Sequence, residues 1–222
     1  SLFSFQVKSL NSTSAMIPAL NHSPAIPVEY IDQRVRLHGI SWEGYESFLA
    51  LRGEQSGTRV TYSNGELELM SPSINHEIFK KTLARLLEAY AEERGIELNG
   101  YGSWTVKSAK DKLGVEADEC YVVGLRDAEP TIPDIAIEVV WTSGGIDKLE
   151  VYRGLRVPEV WFWQKGALRF FLLEEDAYLP GARSRLLPDL DPALIARCMG
   201  ESSQTQAVRA FRATLRDTNA CN

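Results

Sequence analysis

The stretch "IAIEVVWTSGGIDKLEVYRGLRVPEVWFW", residues 135–163, limits the fold more than any other part of the chain. Two apolar runs, IAIEVVW and VPEVWFW, flank the short helical segment GIDKLEVYRGL. Apolar runs of this length suit strands covered on both faces. A helix between two of them implies a parallel pair joined by a right-handed crossover. The preceding runs WTVKS and ADECYVV are joined by shorter turns and read as antiparallel strands, with the Asp118 strand antiparallel to Ile135–Trp141. The expected fold class is α/β, a mixed β-sheet flanked by helices.

Glu138 interrupts the first apolar run. Strand alternation puts Ile135, Ile137 and Val139 on one face and Ala136, Glu138 and Val140 on the other. In the strand before it, Glu116, Asp118, Cys120 and Val122 share a face. If the two strands are neighbours, Asp118 and Glu138 converge. Two close carboxylates in a partly buried place repel, and a divalent cation bound through oxygens keeps both ionised. Lys148, in the helix that follows, can be turned back over the same spot by TSGG. Two carboxylates, a Mg²⁺ ion and a lysine make an intelligible site for phosphodiester hydrolysis. The alternative is structural: a Glu138–Lys148 salt bridge, with Asp118 capping or turning a strand.

The rest of the chain supplies one core. Its 222 residues are 44% hydrophobic, ample for a single main domain. Residues 1–30, rich in Ser, Asn and Pro, read as an arm, 31–175 as the core, and 176–222 as a helical extension packed on the core or on a partner subunit. The opening lacks a basic segment followed by an apolar one, which argues against a signal peptide, and no run is long enough for a membrane helix. Three scattered cysteines read as free thiols in a reducing, cytoplasmic setting. The formal charge of -6 argues against coating nucleic acid through the overall field, but not against a local binding surface.

Turn and cap signals place the other elements. Asn64-Gly65 marks a type I′ hairpin in TRVTYSNGELELM. Ser41 and Gly53 bracket a short helix. NHEIFKKTLARLLEAYAEERG carries an apolar stripe at Ile78, Leu83, Leu86, Leu87 and Tyr90 and reads as a long amphipathic helix. Asp191 and Pro192 open another helix. In the last one, Val208, Phe211 and Leu215 form a docking stripe beside solvated Arg209, Arg212 and Arg216. Glu66 and Glu68 in the hairpin are candidates to line the cleft, although solvation is the commoner state of charged strand residues and the expected one here.

The stretch "EADECYVV…PDIAIEVVWTSGGIDKLEVYRGLRVPEVWFW", with "NGELELMSPSINH" upstream, resembles the Uma2 family of restriction-endonuclease-like proteins in the PD-(D/E)XK nuclease superfamily. The likeness covers roughly residues 36 to 175, and the tail looks like that of cyanobacterial-type members. The resemblance implies a restriction-endonuclease-like fold and a Mg²⁺-dependent endonuclease (Mn²⁺ a substitute) acting on DNA as a homodimer. It puts the first metal carboxylate on Asp118, the acidic member of the half-motif on Glu138 and a carbonyl ligand on Val139. Val140 stands where the plain pattern has lysine, and Lys148 takes that part from the next helix. Glu77 is a further acidic candidate from the long helix, and His76 a phosphate or water contact or a helix cap. Glu116 shares the face of Asp118, and Tyr152 lies one turn beyond Lys148, where it packs or hydrogen-bonds near the site.

Overall fold

The computed structural model describes residues 31–53, 57–141 and 144–220. The arm read over 1–30, and Cys221, lie outside the described residues. In chain order the elements are β1(Gln33–His38), α1(Trp42–Arg52), β2(Arg59–Ser63), β3(Glu66–Ser71), α2(Ile74–Arg94), β4(Leu98–Gly100), β5(Thr105–Ser108) and β6(Leu113–Glu116). They continue as β7(Glu119–Val123), β8(Ile135–Val140), α3(Lys148–Gly154), β9(Glu159–Gln164), β10(Ala167–Glu174), β11(Ala177–Gly181), α4(Pro192–Met199) and α5(Gln204–Ala220).

Local chemistry explains most boundaries. The β2–β3 turn needs two left-handed residues, and Asn64 (φ 48°) and Gly65 (φ 96°) supply them. Ser41, Ser73, Asp147 and Asp191 cap α1, α2, α3 and α4 through their side-chain oxygens. Lys165 and Gly166, both at positive φ, close the tight β9–β10 turn.

The strands form two sheets, a five-stranded one in the order β1-β3-β2-β6-β5 and a six-stranded one in the order β11-β10-β9-β8-β7-β4. As the crossover implied, β8 and β9 run parallel, Glu138 opposite Phe162. β7 runs antiparallel to β8, Glu119 opposite Ile137. The result is the expected α/β fold, a mixed central sheet flanked by helices, consistent with restriction-endonuclease-like architecture. One detail differs from the alternation argument. Asp118 is not inside a strand: Ala117 and Asp118 link β6 in one sheet to β7 in the other.

Helices α2, α4 and α5 cover one face of the six-stranded sheet, where Leu83, Leu86, Leu87 and Tyr90 meet Ile135, Ile137, Val139 and Trp161. Ile78, from the same expected stripe, is instead 47% exposed. Phe211 and Leu215 dock α5 here, and Val208 packs at the margin. Arg212 and Arg216, expected in solvent, reach Glu93 of α2 at 2.7 Å each. On the opposite face α3 fills the space between the sheets. Val151, Tyr152 and Leu155 pack there with Val115, Ala136 and Val160. Glu159, buried at the start of β9, accepts from Trp161 Nε1, Ser184 Oγ and the amides of Arg185 and Leu186, tying β9 to the segment before α4.

A third cluster holds α1 on the five-stranded sheet, with Tyr45 stacked on Tyr62 at 4.8 Å between ring centroids. Tyr45 lies directly over Gly114 of β6: a Cβ built there would stand 2.2 Å from the phenol oxygen. Gly114→Ala is therefore expected to destabilise the fold by about 1–3 kcal/mol through overpacking. Urea unfolding checks this, and an unchanged midpoint would show that Tyr45 can step aside.

Candidate active site

Asp118 lies at the seam between the sheets because the chain passes there from β6 to β7. Beyond the Glu119–Ile137 pair, β8 continues with no β7 residue opposite Val139. The Asp118 carboxylate takes over: its Oδ2 accepts from the Val139 amide at 2.9 Å. The same oxygen lies 2.9 Å from His76 Nε2. Oδ1 has no hydrogen bond and is 3.7 Å from Arg59 Nε. Asp118 is 1% exposed. Burial alone would favour the neutral acid. The His76 bond, the Lys148 charge and the Val139 amide outweigh it and hold Asp118 well below the usual carboxylate range.

His76 reaches Asp118 from the first turn of α2. Its backbone N–H donates to the capping Ser73 Oγ at 3.3 Å. Its Nδ1 lies 3.2 Å from Asp32 Oδ2, and Asp32 Oδ1 accepts the Ser73 amide at 2.9 Å. The ring is fully buried between two carboxylates. Burial works to lower its pKa, but Asp118 and Asp32 raise it to about 9. That favours the imidazolium at neutral pH, with Nδ1 hydrogen-bonded to Asp32 and Nε2 in an ion pair with Asp118 that is not aligned as a hydrogen bond.

Glu138 stands on the α3 face of β8, 2% exposed. Its Oε1 accepts from Tyr152 Oη at 2.5 Å, and its Oε2 from Lys148 Nζ at 2.5 Å. Lys148 and Tyr152 are one turn apart on α3, so one helix face delivers both donors. Burial pushes the Glu138 carboxyl up, against the pull of Lys148, and the nearby Asp118 charge pushes it further. For Lys148, burial works against the charge, but Glu138 and Asp118 raise its pKa above the ordinary lysine value. At this contact distance the charged pair governs, and Lys148 is an ammonium.

Glu138, Val139 and Lys148 line a pocket of ≈ 280 Å³ together with Arg34, Gly144 and Gly145. The structure thus brings together Asp118, Glu138, Lys148, Val139, Tyr152 and His76. Glu77 lies apart: it is half exposed, pairs with Lys80 at 2.5 Å, and is separated from Asp118 by Arg59. Glu116 faces α1, taking Arg52 at 2.7 Å, the Val60 amide at 3.0 Å and Thr105 Oγ1 at 2.9 Å.

Asp32, Arg34 and Arg59 went unrecognised in the sequence. Asp32 precedes β1 and meets His76 only through tertiary packing, so no local pattern marks it. Glu68, expected in solvent, is 2% exposed and binds Arg34 Nη1 at 2.8 Å and the Ile146 amide at 3.0 Å. Its signal was there: it shares a strand face with Met70, an apolar residue.

Among the described residues no group of three or more His, Cys, Asp and Glu side chains is arranged to hold a metal ion. His76 cannot be a ligand while both nitrogens hold protons. By donor type the unbonded Oδ1 of Asp118 suits a hard cation, and so do the oxygens of Glu138, which here are taken by Tyr152 and Lys148.

The His76 arrangement sets a pH dependence. A pKa raised from about 6.5 unfolded to about 9 folded adds stability that is fully present below pH ~6.5 and is lost as pH rises through about 9, on the order of 3 kcal/mol in all. Denaturant unfolding of the wild type should weaken across that window, and His76→Gln should flatten the slope. Parallel profiles would remove the imidazolium.

The sequence itself places the chain among known proteins. No curated protein sequence matches it. Residues 45–195, well over half of the chain, match the model of the Uma2 family, described as "Putative restriction endonuclease". Asp118, Glu138, Lys148 and Tyr152 all fall inside that match, and the chain belongs to the Uma2 family.

Proposed function

We propose that this protein is a Mg²⁺-dependent endonuclease that hydrolyses phosphodiester bonds of DNA. One observation carries the reading: Asp118, Glu138 and Lys148 converge at the end of β8, beside a pocket of ≈ 280 Å³. Family membership supports it. Asp118 and Glu138 would hold Mg²⁺, or Mn²⁺ in its place, with the Val139 carbonyl, which leaves the strand on the same side as the amide bound to Asp118; the ion would supply Lewis-acid polarisation of the phosphate.

The chain's own residues divide the remaining work. His76 keeps Asp118 ionised and fixed. Tyr152 orients Glu138. Lys148 is an ammonium, so it places and stabilises phosphoryl oxygens and does not accept a proton. Cutting both strands of a duplex needs two such sites, so a homodimer belongs to the proposal. So does a cytoplasmic setting, which suits the buried free thiols of Cys120 and Cys198.

A second reading has its own observation. Lys148 and Tyr152 already occupy both oxygens of Glu138. A nuclease-fold protein that binds nucleic acid without turnover would look the same.

Cleavage of duplex DNA and of single-stranded RNA, with Mg²⁺ or Mn²⁺ and with Glu138→Ala beside the wild type, separates the two. Metal-dependent cleavage that falls by about 10²-fold or more in the variant is the expected result. Binding without turnover under every condition favours the second reading, and cleavage of RNA alone changes the substrate. Lys148→Met should cut the rate by roughly 10²-fold or more while the protein still melts cooperatively. A large melting shift with specific activity unchanged would take Lys148 out of the mechanism.

A further inference from the structure

Part of the pocket wall comes from β1, before the start of the family match at residue 45. Arg34 stands there with its side chain 21% exposed. Among the described residues its guanidinium makes one hydrogen bond, from Nη1 to Glu68 Oε1 at 2.8 Å. Nη2 is 3.8 Å from Asp32, beyond hydrogen-bond reach, and Nε is buried with no acceptor. Of the five N–H donors a guanidinium carries, most are unmatched.

The orientation of Arg34 is built in. Glu68 is buried, and its second oxygen accepts the Ile146 amide, so the carboxylate is clamped between β3 and the loop before α3. Gly145, at φ 110°, lets that loop close over the pair. A Cβ there would come within 2.6 Å of Glu68 and 3.0 Å of Arg34 Nη1. The acidic groups of the pocket are already engaged. Glu138 holds Tyr152 and Lys148, and Asp147 Oδ1 caps α3 through the amides of Leu149 and Glu150. Arg34 therefore offers the unmatched donors of a pocket whose carboxylates face elsewhere.

We propose that Arg34 is the phosphate-receiving residue of this pocket: its guanidinium, oriented by Glu68, binds a non-bridging oxygen of the nucleic-acid backbone in the space it shares with Glu138 and Lys148. This rests on the nuclease reading for its substrate but not for its anion chemistry. A planar fork of donors suits a phosphate better than a point charge does. Arg34 contributes equally to the ground and transition states, so it sets KM more than kcat.

Two measurements test the proposal and keep it apart from the nuclease reading. In the first, thermal melting is followed with inorganic phosphate, with sodium chloride at matched ionic strength as the control. Phosphate should raise the melting midpoint of the wild type by about 2–4 °C at several times its Kd. Arg34→Met should lose that shift, and Arg34→Lys should regain part of it. In the second, binding of a labelled duplex DNA is titrated in EDTA across a salt series. Arg34→Met should lower the slope of log K against log salt by about one, and Arg34→Lys should restore the slope. Where the wild type cleaves, KM should rise about tenfold with little change in kcat.

A phosphate shift that depends on Arg34, without any DNA binding or cleavage, supports the anion site and sinks the nuclease. DNA binding or cleavage with slope and KM unchanged in a cooperatively melting Arg34→Met overturns the Arg34 assignment. So does a wild type that shows no response to phosphate.

Discussion

Asp118 has to stay ionised where water cannot reach it, and the surrounding elements are arranged around that demand. It sits where the chain leaves one sheet for the other, so its carboxylate meets β8 through the Val139 amide, α2 through His76 and β2 through Arg59. Asp32 extends the chain of charges to the residue before β1. A buried carboxylate without such partners would cost several kcal/mol or take up a proton. With them it fixes the entry of α2 against the central sheet and fills the place opposite Val139 that no strand residue occupies. The interaction is costly to break from either side, because removing one partner leaves the other charged and buried.

The repulsion expected between Asp118 and Glu138 is met by interleaved cations. His76 sits against one carboxylate and Lys148 against the other. On the nuclease proposal a divalent ion would therefore not meet a vacant pair of repelling acids but would compete with an ammonium 2.5 Å from Glu138.

Where the chemistry was local, the sequence was readable. The β8–α3–β9 crossover followed from two apolar runs and the length between them, and the hairpin from Asn64-Gly65. Helix α2 followed from its stripe, although Ile78 lies on the exposed margin of that stripe. In the site, the faces of β8 followed from alternation, and the approach of Lys148 and Tyr152 to Glu138 from their positions on α3. What escaped was tertiary. A two-residue gap between β6 and β7, Ala117 and Asp118, moved Asp118 from a strand face to a seam. Glu68 was read as solvated because hairpin charges usually are, yet its partners come from β1 and the loop before α3, far away in the chain. Asp32 carries no local signal, since its meaning depends on His76, more than forty residues later.

β1 shows how far the site depends on elements at its edge. Its cross-strand partner β3 lies on one side only, and Val35 and Leu37 on its outer face are 55% and 41% exposed. The inward-facing positions carry arginine: Arg36 is paired with Glu68 across the strands, and Arg34 with Met70. Ordinary amphipathic logic would turn Val35 and Leu37 inward. Here the buried Glu68 reverses the preference, because an unpaired buried carboxylate is worse than two exposed aliphatic side chains. The strand that this places on the edge brings two groups to the centre at once, Asp32 to His76 and Arg34 to the pocket. Edge strands with little buried apolar surface open more readily than central ones. The His76 contact of Asp32 and the pocket donor Arg34 therefore depend on one and the same edge segment.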